Sequence, residues 1–356
     1  MCGDRATRFV RGAGSGVLPG RRGGGAGSDV RVPDARRLLA AALAGAVFLF
    51  AAGPVAAQEY PTRALRLVVP YPPGGNSDAT AREIAKRLAE RVGRPVVVDN
   101  RPGASTVIGS EIVARSAADG YTLLMAGTGH AINASVFRLP YDTLKDFAPV
   151  SLLSKVPFVL VVHPSLPVKS LQGFLDLARA RPGQLTFGSS GNASSTHLAM
   201  ELLKVTAKAD LVHVPYKGAA PALIDLVSGQ ITAAFDTVLS VQPHVRSGRL
   251  RALAASGATR PAAMPELATI AEAGLPDFEV TGWNGIITTG GTPRAVVDRL
   301  GAEVAAIARL SEVRQRFAQQ GGGELIGSTP EAFAAFIRAE VVKWAKVVRD
   351  AKVEAQ

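Results

Sequence analysis

Five histidines, at 130, 163, 197, 213 and 244, and several turns rich in glycine and serine are the residues through which this 356-residue chain could do chemistry. No two of those histidines stand at metal-ligand spacing. There is no phosphate-loop Gly-Lys-Ser/Thr, no Gly-x-Gly-x-x-Gly after a strand, no Gly-x-Ser-x-Gly elbow and no His-Glu-x-x-His. Anion binding fits the turns better. In "PYPPGGNSD", Pro70 to Asp78, the prolines stiffen the approach and the glycines let a ligand come close to the backbone. Asn76, Ser77 or Asp78 is expected to cap the helix that follows, whose free N–H groups and positive dipole end are ready for a carboxylate. Read alone, the stretch is equally a glycine-containing turn with an ordinary cap.

A second loop, "FGSSGNASSTHL" from Phe187 to Leu198, joins a strand to a helix and offers hydroxyls and Gly191 as small donors. His197 precedes an inward Leu198 and reads first as a structural hydrogen-bonder. An exported hydrolase or transferase using Ser or His of this 187–198 loop is the alternative, but no activating carboxylate is evident near His197. "VPYKGAAPALIDL" makes a third strand-to-helix turn, in which Lys217 reads as solvated and Gly218 as a helix entry. Asp236 ends the strand "ITAAFD", where ligand sites of α/β folds lie.

The elements that position these loops alternate. Arg66 to Val69 reads as a strand, and Ala81, Ile84, Ala85, Leu88 and Val92 form one apolar helix stripe closed by Gly93. A strand at Pro95 to Val98, a helix near Thr106 to Ser116 and a strand at Tyr121 to Met125 complete a βαβαβ unit, which implies a parallel sheet covered by helices. A second α/β series runs from the strand Phe158 to Val162 through "ITAAFD", and the chain closes in helices at Arg294 to Leu310, Glu312 to Gln319 and Glu331 to Ala351. The expected fold class is α/β, two lobes with a hinge and a cleft between them. Residues 58–157 and 284–356 form the first lobe and 158–283 the second, with crossings near Lys155 to Val159 and Thr281 to Gly285. Helix N-termini from both lobes would let an anion close that cleft.

Residues 1–57 differ from the rest. Arg36 and Arg37, the apolar run Leu38 to Gly53 and small residues at Val55 and Ala57 read as a secretory signal peptide cleaved near Ala57, so the mature chain is expected in the periplasm. The preceding segment to about residue 30 shows no folding pattern, and the expectation is that it lies upstream of the true translation start. Removing residues 1–57 takes away eight basic and three acidic residues, leaving 32 against 26, and also Cys2, the single cysteine. The remaining positive charges are scattered singly, so nucleic acid is not an expected partner, and no thiol chemistry remains.

Six stretches in fixed order, among them "YPTRALRLVVPYPPGGNSDATAR", "GRPVVVDNRPGA", "FGSSGNASSTHLAMELL", "LVHVPYKGAAPALIDLVSGQITAAFD" and "GWNGIITTGGTP", closely resemble the extracytoplasmic solute-binding proteins of the tripartite tricarboxylate transporter family, the Bug proteins. The resemblance runs over nearly all of residues 59 to 350. It implies a type II periplasmic binding-protein fold and a receptor, without catalysis or cofactor or metal, for a small carboxylate of the organic-acid or acidic-amino-acid type. It further implies a monomer that serves membrane permease subunits or a sensor. Carried onto this chain, the first-lobe loop supplies Tyr71, Pro73, Gly74, Gly75, Asn76 and Asp78. The second supplies Ser189, Ser190, Gly191, Asn192, Ser194, Ser195 and Thr196, with Asp236 at the border and Thr128 and His130 toward the variable part of the ligand. The chain departs from the family at Ala104-Ser105-Thr106, where a glycine run is common, at Met200, where glycine is usual, and in the "TTGG" before Thr292.

Overall fold

Strand β1 (Leu65–Val69) is covered on both faces, with Leu65, Leu67 and Val69 packed into one apolar layer and Val68 into the opposite one. That alternation belongs to a strand flanked by helices above and below. It pairs in parallel with β2 (Val96–Asn100) and β3 (Thr122–Gly127). Helix α1 (Asn76–Val92) turns Ala81, Ile84, Ala85 and Leu88 inward, as the stripe predicts, and stops at Gly93 with φ +67. Full burial of a side chain such as Leu88 contributes about 1.5–3 kcal/mol. The computed structural model describes Gly27, residues 60–319 and residues 323–353. The expected signal peptide and its cleavage point lie outside the described residues.

Beyond β3 the sheet becomes mixed. Strand β4 (Phe147–Val162) is 16 residues long and serves two sheets. Up to Pro157 it pairs antiparallel with β9 (Thr281–Thr289), which in turn pairs antiparallel with β3. From Phe158 it pairs with β7 (Ala233–Thr237) and β8 (Arg251–Ala255), and β7 leads in parallel to β5 (Thr186–Ser189) and on to β6 (Val212–Pro215). The order β2-β1-β3-β9-β4-β7-β5-β6 describes an α/β fold of two lobes joined through β4 and β9.

Helices cover both lobes. In the first, α2 (Val107–Ala114), α3 (Thr128–Val136) and α10 (Pro330–Asp350) lie on one face, and α1, α8 (Arg294–Arg309) and α9 (Ser311–Gln319) on the other. In the second, α4 (Leu171–Ala180) and α5 (Ser195–Ala207) oppose α6 (Ala219–Val227) and α7 (Val238–Arg246). One apolar cluster is continuous from α3 and α10 into α4 and α5, and α3, α5 and α10 touch one another. Among the described residues, no helix is long and apolar enough to cross a membrane.

Candidate functional site

Helix α1 starts at Asn76, with Gly75 (φ −82, ψ 174) in the N-cap position and no side chain capping it. The expectation of a cap at Asn76, Ser77 or Asp78 is therefore corrected, since all three lie inside the first turn. The Asp78 side chain folds back instead. It accepts from the Gly74 N–H at 3.0 Å, from Asn100 Nδ2 at 2.9 Å and from Arg82 Nε at 3.0 Å. Burial pushes its carboxyl up, but the bonds from Arg82, the Gly74 N–H and Asn100, together with the Arg82 charge, outweigh burial and hold it below the usual range. An ionised Asp78 thus clamps the loop. Gly74 sits at φ +87, a conformation that glycine takes without strain. Asn100 also donates to the Tyr71 carbonyl at 3.1 Å. The Tyr71 hydroxyl, pushed up to about 12 by burial, closes over Gly127, where a Cβ would come within 2.6 Å of it.

Pro73, Gly74 and Gly75 are exposed. Among the described residues none accepts from the N–H groups of Asn76, Ser77 or Asp78. Three first-turn donors and the positive end of a 17-residue helix are thereby free for an anion.

Asn284, on β9, takes up the side chains of this turn. Its amide nitrogen donates to Asn76 Oδ1 at 3.1 Å, and its Oδ1 accepts from Ser77 Oγ at 2.7 Å. Ser154 of β4 lies 3.5 Å from the same amide. The first loop is therefore fastened to both strands that join the lobes. Sequence reading missed Asn284, and the one signal for it was a lone amide within the apolar "GWNGII".

Helix α3 begins after the N-cap Gly127 without a side-chain cap. Thr128 is buried, and its Oγ1 accepts from the Trp283 N–H at 3.1 Å. The His130 ring turns away into the core, edge-on to Phe147 with centroids 4.8 Å apart and Nε2 3.3 Å from the Thr143 carbonyl. Burial pushes its pKa down to about 4, so the ring is neutral there. The His130 side chain, expected to contact the ligand, thus lies in the core. Ala104, Ser105 and Thr106 stand nearby at φ 42, 49 and 81, left-handed conformations at the place where the resembling family carries glycines. Such residues cost about 1 kcal/mol or more each. Asn133 Nδ2 holds the run by donating to the Ser105 carbonyl at 2.6 Å and to Thr106 Oγ1 at 3.1 Å.

In the second loop Ser194 caps α5, its Oγ accepting from the His197 N–H at 3.2 Å. Thr196 Oγ1 accepts from the Ser190 N–H at 3.0 Å and lies within 3.2 Å of both the Ser190 and Ser194 hydroxyls. Ser189 Oγ meets the Gly191 carbonyl at 2.9 Å and His213 Nε2 at 2.6 Å. Most hydroxyls expected to grip a ligand are therefore lacing the loop. Asn192 is exposed, and among the described residues nothing accepts from the N–H groups of Asn192, Ser195 or Thr196. Glu201 stands one turn after His197, Oε1 3.7 Å from Nε2, which corrects the expectation that no carboxylate lies near. Lys204 holds that same oxygen at 2.8 Å, while Ser189 is buried and pairs with His213 instead, so the three do not form a relay from serine to carboxylate.

Asp236 is the last residue but one of β7 and lies beside this loop, because Gly188 pairs with Ala234 in parallel register. It is 6 % exposed. Burial pushes its carboxyl up to about 6, against hydrogen bonds from the Thr237 N–H and from the Ser240 and Thr237 side chains. A carboxyl raised in the folded state stabilises folding best below its ordinary value of 3.8, and that contribution is lost as pH rises through about 6. Asp236→Asn keeps an oxygen for the Thr237 N–H and removes the titration. Its stability relative to wild type should therefore rise between pH 4 and 7.5, by up to roughly 3 kcal/mol. Urea unfolding across that range measures it, and a difference that does not change with pH refutes it.

Two α/β lobes joined by paired strands, with free backbone N–H groups at helix starts that follow β1, β3 and β5, form the architecture of a two-lobe binding protein. The chain belongs to the tripartite tricarboxylate transporter receptor family, whose model, described as "Tripartite tricarboxylate transporter family receptor", matches residues 80–353. It is 38% identical over 310 residues to Protein BugT of Bordetella pertussis, covering 85% of this chain and 95% of that protein. The solved structure of R. palustris Rpa4515 with adipate shares 38% identity with a TM-score of 0.78, over 83% of this chain and 100% of that one. That of MatC from Rhodopseudomonas palustris with bound malate shares 31% with a TM-score of 0.73, over 81% and 100%. The family is one of receptors, so the chain is a solute-binding protein, and the hydrolase or transferase alternative is set aside.

Proposed function

We propose that this protein is a periplasmic receptor for a small carboxylate, of the organic-acid or acidic-amino-acid type. It hands that acid, as a monomer, to the permease subunits of a tripartite tricarboxylate-type transporter or to a sensor. The observation that carries this reading is the set of uncapped N–H donors at the starts of α1 and α3, joined by the free N–H groups around the start of α5. Neither loop contains a lysine or arginine. A carboxylate, one charge shared by two oxygens, matches such preorganised donors without a counter-ion. Tyr71 and Gly75 border the first set and Asn192, Ser195 and Thr196 the second, and in this reading Asp236 meets a hydroxyl, ammonium or protonated carboxyl elsewhere on the ligand. The adipate-bound and malate-bound relatives support the acid class. The pattern from Arg36 to Ala57 supports export.

Native mass spectrometry of gently purified protein, followed by a thermal-shift screen of mono-, di- and tricarboxylates and amino acids, tests this. A true ligand at 100 times its Kd should stabilise the fold by about 2.7 kcal/mol. A screen in which no acid stabilises the protein, together with a co-purified ligand that bears no carboxyl group, would reject the reading.

A further inference from the structure

Beneath the second loop two imidazoles lie face to face. His197 of α5 and His213 of β6 have ring centroids 3.7 Å apart and planes inclined by 10°. Phe187 of β5 lies to one side of the pair, its ring centroid 4.9 Å from that of His213 and 6.1 Å from that of His197. Each ring holds a different part of the loop. His213 Nε2 meets Ser189 Oγ at 2.6 Å, and that hydroxyl also accepts from the Gly191 N–H at 3.2 Å. His197 Nδ1 accepts from the Ala193 N–H at 3.0 Å. Ala193 is buried and sits at φ +55, a left-handed conformation that a residue with a Cβ adopts only when its surroundings impose it. The same His197 donates its own N–H to Ser194 Oγ at the helix cap. One residue therefore fixes the two positions that lead into the free N–H groups of Ser195 and Thr196.

We infer that His197 is the positioning residue of the second loop, and that it acts as an acid-sensitive latch which holds the loop in its binding shape while Nδ1 carries no proton. The chemistry follows from hydrogen-bond polarity. An Nδ1 that accepts from Ala193 requires the neutral ring with its proton on Nε2, the nitrogen that faces Glu201 Oε1 at 3.7 Å. A proton added at Nδ1 sets one N–H against another, leaves the buried Ala193 N–H without an acceptor and removes the force holding its left-handed turn. The charged and titratable groups facing the ring are Glu201 and Lys204 on its own helix, His213 on β6, and Lys352 beyond the end of α10, which lines the same surface hollow as His197. His213 itself is driven down to about 4, chiefly by burial, so it stays neutral while the loop works. Acidification thus weakens the grip, and ligand release is favoured where the surroundings turn acid.

This inference rests on the carboxylate reading for its effect on binding but not for its effect on the loop, and the two are tested apart. In ligand-free protein, nitrogen NMR of the imidazoles at pH 8 should show His197 as the Nε2–H tautomer. The amide resonances of residues 190–194 should then shift together with the protonation of its ring as pH falls. A His197 ring protonated on Nδ1 at pH 8, or loop amides that ignore its titration, overturns the latch whatever the ligand is. Affinity is measured with the best acid of the carboxylate panel, or with adipate as the probe, from pH 8 to pH 5.5. His197→Asn keeps an acceptor oxygen near the place of Nδ1 without titrating, and should bind as wild type does at pH 8 while losing less affinity at pH 5.5. His197→Leu should bind about tenfold or more weakly than wild type at pH 8, with the gap narrowing at pH 5.5. Protonation of the ligand affects all three proteins alike, so the ratio of wild type to His197→Asn isolates the latch. A ratio that stays constant with pH overturns it. Absence of adipate or panel binding by wild type with the NMR coupling intact counts against the carboxylate reading alone.

Discussion

Gly75→Leu is expected to lower affinity for the bound acid by at least a hundredfold, about 2.7 kcal/mol, while ligand-free stability moves by no more than about 1 kcal/mol. The separation of the two effects comes from the geometry of one residue. Gly75 at φ −82 and ψ 174 has extended backbone open to any side chain, and a Cβ built there meets nothing within 4 Å. Leucine is thus accepted by the fold, but its branches stand at the mouth of a helix whose first three N–H groups have no acceptor among the described residues. A carboxylate that needs those donors must displace the side chain or bind at a distance. Gly74 supplies the contrast. Its φ of +87 makes any substitution strain the backbone, so Gly74→Leu should lose stability as well as binding and cannot separate the two. Titration calorimetry on Gly75→Leu, paired with urea unfolding, decides the matter. A folded variant with wild-type affinity removes the first loop from the site.

The loop that prediction addresses was legible in the sequence in its class and wrong in its detail, for a physical reason. Helix periodicity depends on apolar side chains, and the stripe Ala81, Ile84, Ala85, Leu88 placed the body of α1 correctly. Its start carries no apolar residue, and Asp78 there imitates a cap while bonding backward to Gly74. The crossing strand β4 was read from Phe158 although it begins at Phe147, because Pro149, Ser151, Ser154 and Lys155 blur the alternation and register shifts interrupt it twice. The alanine-rich β8, the helices α3 ("TGHAINASV") and α7, and the glycine-bearing β9 lack the contrast that periodicity needs and were not anticipated. Side-chain direction was beyond any one-dimensional pattern. Nothing in "GTGH" says that His130 turns inward toward Phe147, or that His197 and His213, sixteen residues apart in sequence, stack face to face. Loop chemistry survives that ignorance where it uses backbone N–H groups, since any residue type at a helix start presents them. That is why helix-start donors could be anticipated from sequence while side-chain contacts could not.

The second large effect is expected at Glu340, far from either loop in sequence. The chain has two tryptophans, and the indole N–H groups of both donate to one oxygen of this carboxylate, Trp283 at 3.0 Å and Trp344 at 2.9 Å. All three residues are buried. Trp283 lies on β9 where the chain returns to the first sheet, and its backbone N–H bonds Thr128 at the start of α3. Asn284, the next residue, fastens α1. Glu340 therefore sets a strand that positions two of the helix starts proposed to receive the acid. Glu340→Leu leaves two buried indole donors without an acceptor, at about 1–3 kcal/mol each, so a loss of about 2–6 kcal/mol is expected in urea unfolding. Glu340→Gln can keep a carbonyl oxygen between the two indoles and should lose less than half as much. Because no other tryptophan is present, intrinsic fluorescence reads this anchor directly, and Glu340→Leu should shift the emission of the folded protein while Glu340→Gln leaves it near wild type. If Glu340→Leu unfolds at the wild-type urea concentration, the indoles do not depend on the carboxylate. The anchoring of β9 must then come from packing alone, chiefly the edge-on contacts of Trp283 with Phe333 and Phe336 at 5.7 and 5.6 Å.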